Sequence, residues 1–314
     1  MTGAAKKIFM TGGTGFFGRS ILSMLERGAL PGYSFTILSR DPERFRRAEP
    51  ALSRLPSVEF VAGDVRDFRF PEGRFDRILH AGNPAEAMPP GAMRDVILKG
   101  TERVIEFARV CGAEKLLFVS SGAVYGVQPP ELERMPETFP CAPATEYGVA
   151  KLEAEKMCLD SGIPVLLPRC FAFTGPHLRR DIHFAIGNFM RDALAGRPIV
   201  IRGDGTPYRS YLYADDLVEW LFAVLERGEC GVSYNVGSDA AISIAALAQR
   251  VKAVLGSASP VVTEGVPEPG RRPPRYVPDV SRITSALGVA VKVGLDEAIR
   301  RSCPELAAAG KDAR

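Results

Sequence analysis

Ligands for a metal are what this sequence has least of. Three histidines occur in 314 residues, and the six cysteines (Cys111, Cys141, Cys158, Cys170, Cys230 and Cys303) form no C-x-x-C pair and have no histidine at ligand spacing. No metal site is therefore expected, and the thiols read as free in a reducing compartment. No apolar run is long enough to cross a bilayer, and the first strand pattern begins too early to leave a secretory leader. A cytoplasmic protein with no membrane partner is the expectation. Neither sign of charge is in surplus, since 40 basic and 37 acidic residues give +3, so nothing argues for nucleic acid as a partner. An anionic ligand must be met by local clusters.

What is present is core material, with 46% hydrophobic residues and a length that suits one large or two small domains. Apolar strand patterns at Ile8–Met10, Tyr33–Leu38, Val58–Val65, Arg77–Gly82, Lys115–Val119 and Pro164–Arg169 alternate with helical patterns. That rhythm predicts an α/β fold, a Rossmann-type doubly wound parallel sheet. Beyond residue 170 it loosens: His183–Phe189 reads as a helix entrance, Pro198–Ile201 as a short strand, and Asp215 and Asp216 stand where a helix start uses a cap. We expect a dinucleotide-binding domain over 1–170, rejoined by about 210–240, and a smaller C-terminal α/β substrate-binding lobe over 171–314.

The first strand breaks into Thr11-Gly12-Gly13-Thr14-Gly15-Phe16-Phe17-Gly18 and opens onto a helix. Glycines there permit positive φ and close approach, and a helix N-terminus offers N–H groups to an anion, so a dinucleotide pyrophosphate would sit at Gly12, Thr14, Gly15, Phe16, Phe17 and Gly18. The spacing is G-x-x-G-x-x-G rather than G-x-G-x-x-G. The second strand ends in Ser39 and Arg40, a hydroxyl and a guanidinium that suit the 2′-phosphate of NADP better than the 2′-hydroxyl of NAD. Asp41 stands close enough to reach a ribose instead. Asp64 and Val65 fall where a sheet edge holds an adenine, and Ala81 and Gly82 follow the fourth strand. His80, ending that strand, reads as a packing residue near the cofactor.

Two further motifs lie beyond the strand ends. The fifth strand runs into Ser120-Ser121-Gly122-Ala123-Val124-Tyr125-Gly126, and Tyr147 and Lys151 stand four apart in a helical stretch, on one face. An ammonium beside a phenol lowers its pKa and makes it a usable acid or base. Read alone, the pair fits a surface contact equally well.

Glycine turn, serine after the fifth strand and Tyr-x-x-x-Lys on the next helix together resemble the extended short-chain dehydrogenase/reductase family, in its nucleotide-sugar epimerase/dehydratase branch, from about Lys7 to about Arg301. The resemblance implies Tyr147 as general acid/base, Lys151 as the residue that holds the nicotinamide ribose and depresses the tyrosine pKa, and Ser121 as hydrogen-bond partner of the reacting oxygen. It implies Arg209, in Arg209-Ser210-Tyr211-Leu212-Tyr213-Ala214-Asp215-Asp216, as a contact to the nucleotide diphosphate, joined by Arg275 or one of Arg271 and Arg272. Asn188 is a further substrate candidate. A homodimer through the helices around Val96–Val110 and Tyr147–Asp160 is implied as well.

The departures matter. Dehydratases of this kind carry an Asp-Glu pair after the active-site hydroxyl and decarboxylases a glutamate, whereas Gly122 and Ala123 stand here and neither transfers a proton. Ile97 and Ala172 replace two asparagines common in the family. The expected activity is NAD(P)-dependent hydride transfer at a ring carbon of a nucleotide-diphospho-sugar, C4 in the pattern of the family, by a 4-epimerase or an NADPH-dependent 4-ketoreductase. A 4,6-dehydratase is disfavoured, and a non-catalytic dinucleotide-sensing protein is the alternative from another class.

Overall fold

The computed structural model of the protein describes residues 5–82, 88, 89, 91–182 and 184–305. In chain order the strands of the first half are β1 (Lys6–Thr11), β2 (Tyr33–Ser39), β3 (Val58–Ala62), β4 (Arg77–His80), β5 (Lys115–Phe118), β6 (Ser120–Ser121) and β7 (Val165–Cys170). Between them run α1 (Phe16–Glu26), α2 (Pro42–Ala48), α3 (Pro50–Ser53), α4 (Ala92–Val110) and α5 (Glu146–Leu159). The second half adds β8 (Phe173–Thr174), α6 (Ala185–Leu194), β9 (Ile199–Ile201), β10 (Tyr208–Arg209), β11 (Leu212–Tyr213), α7 (Ala214–Arg227) and β12 (Ser233–Val236). It closes with β13 (Ile242–Ser243), α8 (Ile244–Val254), β14 (Val261–Thr263), β15 (Arg275–Tyr276), α9 (Ser281–Leu287) and α10 (Leu295–Arg301).

The large sheet has the order β12-β7-β5-β4-β1-β2-β3, with β6 beside β7, and β1 to β5 pair in parallel. The chain runs outward from β1 to β3 and then returns to β4 on the other side of β1. Ligands of open α/β sheets bind beyond such a reversal of strand order. β1 lies in the middle, so Ile8, Phe9 and Met10 are fully buried. Phe9 meets Phe107 of α4 at 4.6 Å between ring centroids and Phe68 at 5.3 Å, which fastens α4 to this face of the sheet.

The chain divides into two compact units. The first holds the residues up to Gly126, then Pro140–Cys170 and Trp220–Tyr234; the second holds Val127–Phe139, Phe171–Glu219 and the chain from Asn235. The boundary thus differs from the expected one at residue 170 in placing Val127–Phe139 with the second unit. The physical reason is hydrogen bonding: Met135 N–H donates to Val277 O, Asp279 N–H to Met135 O, and Val277 N–H to the Gln128 side chain. The second unit carries three small sheets, β13-β10-β15, β11-β8 and β14-β9. Of the expected helix entrance His183–Phe189, His183 lies outside the described residues, and α6 begins at Ala185. Asp215 and Asp216 do open α7, but the Asp216 carboxylate accepts from the backbone N–H groups of Lys292 and Val293 rather than from its own helix. Among the described residues no helix is long and apolar enough to cross a membrane.

His80 closes β4 as a buried link. The Thr11 hydroxyl accepts from Gly82 N–H at 3.0 Å and sits 2.6 Å from His80 Nδ1, while His80 Nε2 is 3.2 Å from the Thr101 hydroxyl, which itself donates to Ile97 O. The directions close only one way: Thr11 donates to Nδ1, and Nε2–H donates to Thr101. Burial, with the Lys151 charge nearby, pushes the His80 pKa down to about 3. A base whose pKa is depressed on folding stabilises the fold above its unfolded pKa and loses that contribution as pH falls. Between pH 7 and pH 5 we expect this group to remove about 2 kcal/mol of stability, and His80→Gln to flatten that part of the urea-denaturation profile.

Candidate active site

The turn after β1 is built by backbone. Gly12 has φ 74°, and a Cβ there would meet Ala81 O at 2.5 Å, so only glycine lets the turn pass this close to the end of β4. Gly15 precedes α1 as an exposed N-cap without a side chain to satisfy the helix, and a Cβ on it would approach nothing nearer than Gly12 O at 3.4 Å. The helix N-terminus is thus open on the side where an anion is favoured. Thr14, Phe16, Phe17 and Gly18 complete the turn, with Thr14 O accepting from the Arg19 side chain. Ala81 and Gly82 border it, joined through the Thr11 hydroxyl.

At the end of β2, Ser39 is buried and its hydroxyl accepts from Asp41 N–H, while Arg40 is exposed. The Asp41 carboxylate caps α2 by accepting from Arg44 N–H at 2.9 Å. Its expected alternative role at a ribose competes with that cap. Asp64 is held below its usual carboxylate range by hydrogen bonds from Arg66, with the side-chain bond at 2.8 Å. Val65 packs where Gly100 of α4 leaves room for it, since a Cβ on Gly100 would meet Val65 at 2.8 Å.

Beyond β5 the chain enters β6, and Ser121 caps the short 3₁₀ turn Gly122–Tyr125 by accepting from Ala123 N–H at 3.2 Å. α5 starts against that turn. Thr145 caps it by accepting from Gly148 N–H, and a Cβ on Gly148 would lie 2.6 Å from Ala123 O, so the glycine after Tyr147 lets the helix press on the strand end. A hydrogen bond joins Tyr147 to Ser121 as a result. The Ser121 oxygen accepts from Ala123 N–H and keeps a second lone pair and its proton for the phenol.

Burial pushes the Tyr147 pKa up to about 12, with the Ser121 hydrogen bond acting against it. The expectation of a depressed phenol is therefore corrected: desolvation outweighs the favourable contacts. Lys151 is fully enclosed, donates to Val119 O at 2.6 Å and stands 4.2 Å from the Phe118 ring centroid. Burial brings its pKa down to about 8, against the pull of Cys158, Cys170 and Glu155. Ser121, Tyr147 and Lys151 are thus gathered in the first unit beside the strand ends that carry the glycine turn.

The candidates Asn188, Arg209 and Arg275 belong to the second unit. Asn188 Nδ2 donates to Ile182 O at 2.9 Å. Arg209 lies opposite Tyr276 and Arg275 opposite Tyr208 on paired strands β10 and β15, so each guanidinium lies over the other strand's tyrosine, at 5.9 and 4.4 Å from the ring centroids. Because side chains alternate along a strand, the Arg209–Tyr276 and Arg275–Tyr208 pairs project from opposite faces of this small sheet.

A model of the NAD dependent epimerase/dehydratase family matches residues 8–237. The chain belongs to that family. Its relatives there include UDP-glucuronic acid decarboxylase 1 of Xenopus tropicalis, 29% identical over 95% of this chain and 71% of the relative. The dTDP-D-glucose 4,6-dehydratase of Mus musculus is 28% identical over 79% of this chain and 72% of that protein. Among solved structures, the UDP-glucose 4-epimerase of Thermus thermophilus, a complex with NAD, is 26% identical with a TM-score of 0.79, covering 96% of this chain and 99% of the other.

The chain's own residues fit the family's dinucleotide, since the cradle at Gly12 and Gly15 is one that a Cβ would strain or fill. Sequence reasoning passed over the Thr11–His80–Thr101 link and a buried pair, Glu155 and Arg169. Arg169 was findable, because a guanidinium inside the strand Val165–Cys170, buried throughout, demands an anion, and Glu155 continues the helix face of Tyr147 and Lys151. Gly12→Ala should lower the melting temperature and weaken dinucleotide binding measured by fluorescence titration, at a strain of about 1–3 kcal/mol.

Proposed function

We propose that this family member transfers hydride at C4 of a nucleotide-diphospho-sugar, as a 4-epimerase. The observation that carries the reading is the hydrogen-bonded Ser121–Tyr147 pair followed by Gly122 and Ala123. A pair of that kind moves one proton at a hydroxyl or carbonyl, whereas elimination of water asks for an additional acid and base at the neighbouring positions. The printed names of the relatives share a nucleotide-diphosphate sugar, which supports that class of substrate.

When bound, the dinucleotide supplies the acceptor and the donor of hydride. The residues do the rest. The turn Gly12–Gly18 takes the pyrophosphate, with Asp64, Val65, Ala81 and Gly82 along its course, and Lys151 holds the nicotinamide ribose. As the phenolate, Tyr147 Oη takes the proton of the C4 hydroxyl and, as the phenol, returns it to the ketone oxygen, while Ser121 donates to that oxygen. A phenol raised to about 12 gives up its proton with difficulty, and a cationic group brought beside it on binding would ease formation of the phenolate. Arg209 is assigned to the diphosphate, and Asn188 to the substrate. Val110, Val149 and Leu159, exposed on α4 and α5, support a homodimer through those helices.

NADPH-dependent ketoreduction of a 4-keto sugar is the second reading, and the end of β2 favours it. Ser39 and Arg40 suit a 2′-phosphate, and the competing Asp41 carboxylate is engaged by Arg44. Arg40→Glu is expected to weaken NADP binding by about 10-fold or more relative to NAD in parallel calorimetric titrations.

Incubation with NAD and, separately, UDP-glucose, UDP-glucuronic acid and dTDP-glucose, followed by proton NMR, tests the reaction. The expected product is the C4 epimer of an accepted sugar. A 6-deoxy-4-keto sugar, or a pentose with release of carbon dioxide, would overturn the reading. Stoichiometric NADPH loss with a 4-keto sugar would select reductase over epimerase. Tyr147→Phe should lower kcat by about 10²–10⁴-fold, and turnover unaffected by it would remove the catalytic assignment.

A further inference from the structure

We propose that the buried ion pair of Glu155 and Arg169 is a positioning pair, which holds the strand end bearing Ser121 against the helix bearing Tyr147. The Glu155 carboxylate accepts from Arg169 Nε at 3.0 Å on one oxygen and from a terminal guanidinium nitrogen at 2.8 Å on the other. The Ser120 hydroxyl donates to the first of these oxygens. Glu155 and Ser120 are each 2% exposed and Arg169 8%. The guanidinium also stacks 4.9 Å from the ring centroid of the buried Tyr125, at the end of the 3₁₀ turn.

Three segments meet at this carboxylate. α5 supplies Glu155, one turn beyond Lys151 and two beyond Tyr147, on the same face. β7 supplies Arg169, and β6 supplies Ser120, paired in register as Ser120↔Arg169 and Ser121↔Cys170. The carboxylate thereby ties Ser120 to α5, and Ser121, the next residue, is held where it meets Tyr147 of the same helix. β6 carries on the register of β5 beside β7, where Leu116↔Val165 and Leu117↔Leu166 precede it, and the carboxylate adds the tie from these strands to the helix.

Energetics points the same way. A buried ion pair gains little net stability over well-packed apolar residues, because both charges are desolvated. Burial opposes the Arg169 charge, yet the Glu155 carboxylate holds its pKa above the ordinary value. What such a pair supplies is orientation, through two parallel bonds of fixed geometry.

The inference rests on Ser121 and Tyr147 being the reacting pair, and its test has one arm that needs no substrate. The double variant Glu155→Leu/Arg169→Met removes both charges at similar volume and is expected to melt at or above the wild-type temperature. Its crystal structure should show the Ser121–Tyr147 hydrogen bond broken or split between alternate positions of residues 120–122. Its kcat for the accepted sugar should fall about 10²-fold, the penalty of a misplacement on the order of 1 Å, with KM little changed. Glu155→Gln should show the same kcat loss together with a lower melting temperature, since it leaves the guanidinium buried without its anion. A double variant that keeps both the Ser121–Tyr147 hydrogen bond and wild-type kcat would overturn the positioning role. A wild-type chain inactive on every sugar would count against the proposed reaction alone, and the hydrogen bond in the double variant would still decide the positioning.

Discussion

One hydroxyl, that of Thr11, joins the two strands between which the sheet reverses direction. Parallel strands end with backbone groups that have no further ladder partner, and a buried N–H or C=O must be satisfied by something. At the end of β4 the Gly82 N–H finds Thr11, Thr11 finds His80, and His80 reaches Thr101 on α4. The glycine turn depends on this closure, because a Cβ on Gly12 would run into the backbone of Ala81 and Gly82. β1 can deliver a close-approaching turn only because its neighbour's end is tied down.

Around the reacting pair the dominant force is desolvation. It moves Tyr147 upward and Lys151 downward, each away from its charged form, and in both cases it exceeds the nearby hydrogen bonds and charges. Arg169 keeps its charge against the same burial because the Glu155 carboxylate faces it with two hydrogen bonds. The site is therefore assembled from groups that would be costly in isolation and that are acceptable where each faces a fixed partner.

The features legible in the sequence are those that local spacing determines. The turn Gly12–Gly18, the run from Ser120 to Gly126 and the Tyr147–Lys151 interval each lie within one strand–turn or helix segment, so their geometry follows from strand and helix periods. The parallel sheet followed from the alternation of apolar runs. Nonlocal pairings were not legible. Nothing near Asp216 in the chain announces the backbone of Lys292 and Val293 as its partner, and the association of Val127–Phe139 with the stretch around Val277 spans far too much chain for a periodic pattern to reveal. The Tyr147 pKa departs from the expected direction for a related reason: spacing reports a neighbouring ammonium, whereas burial depends on every element packed above the phenol.

Lys151 gives the enclosed site a response to alkali. With its pKa brought down to about 8 by burial, the ammonium gives up its proton well before a lysine of ordinary pKa. His80, locked as a neutral imidazole, does not vary over that range. A rise in pH thus discharges this enclosed site early, at the ammonium that donates to Val119 O.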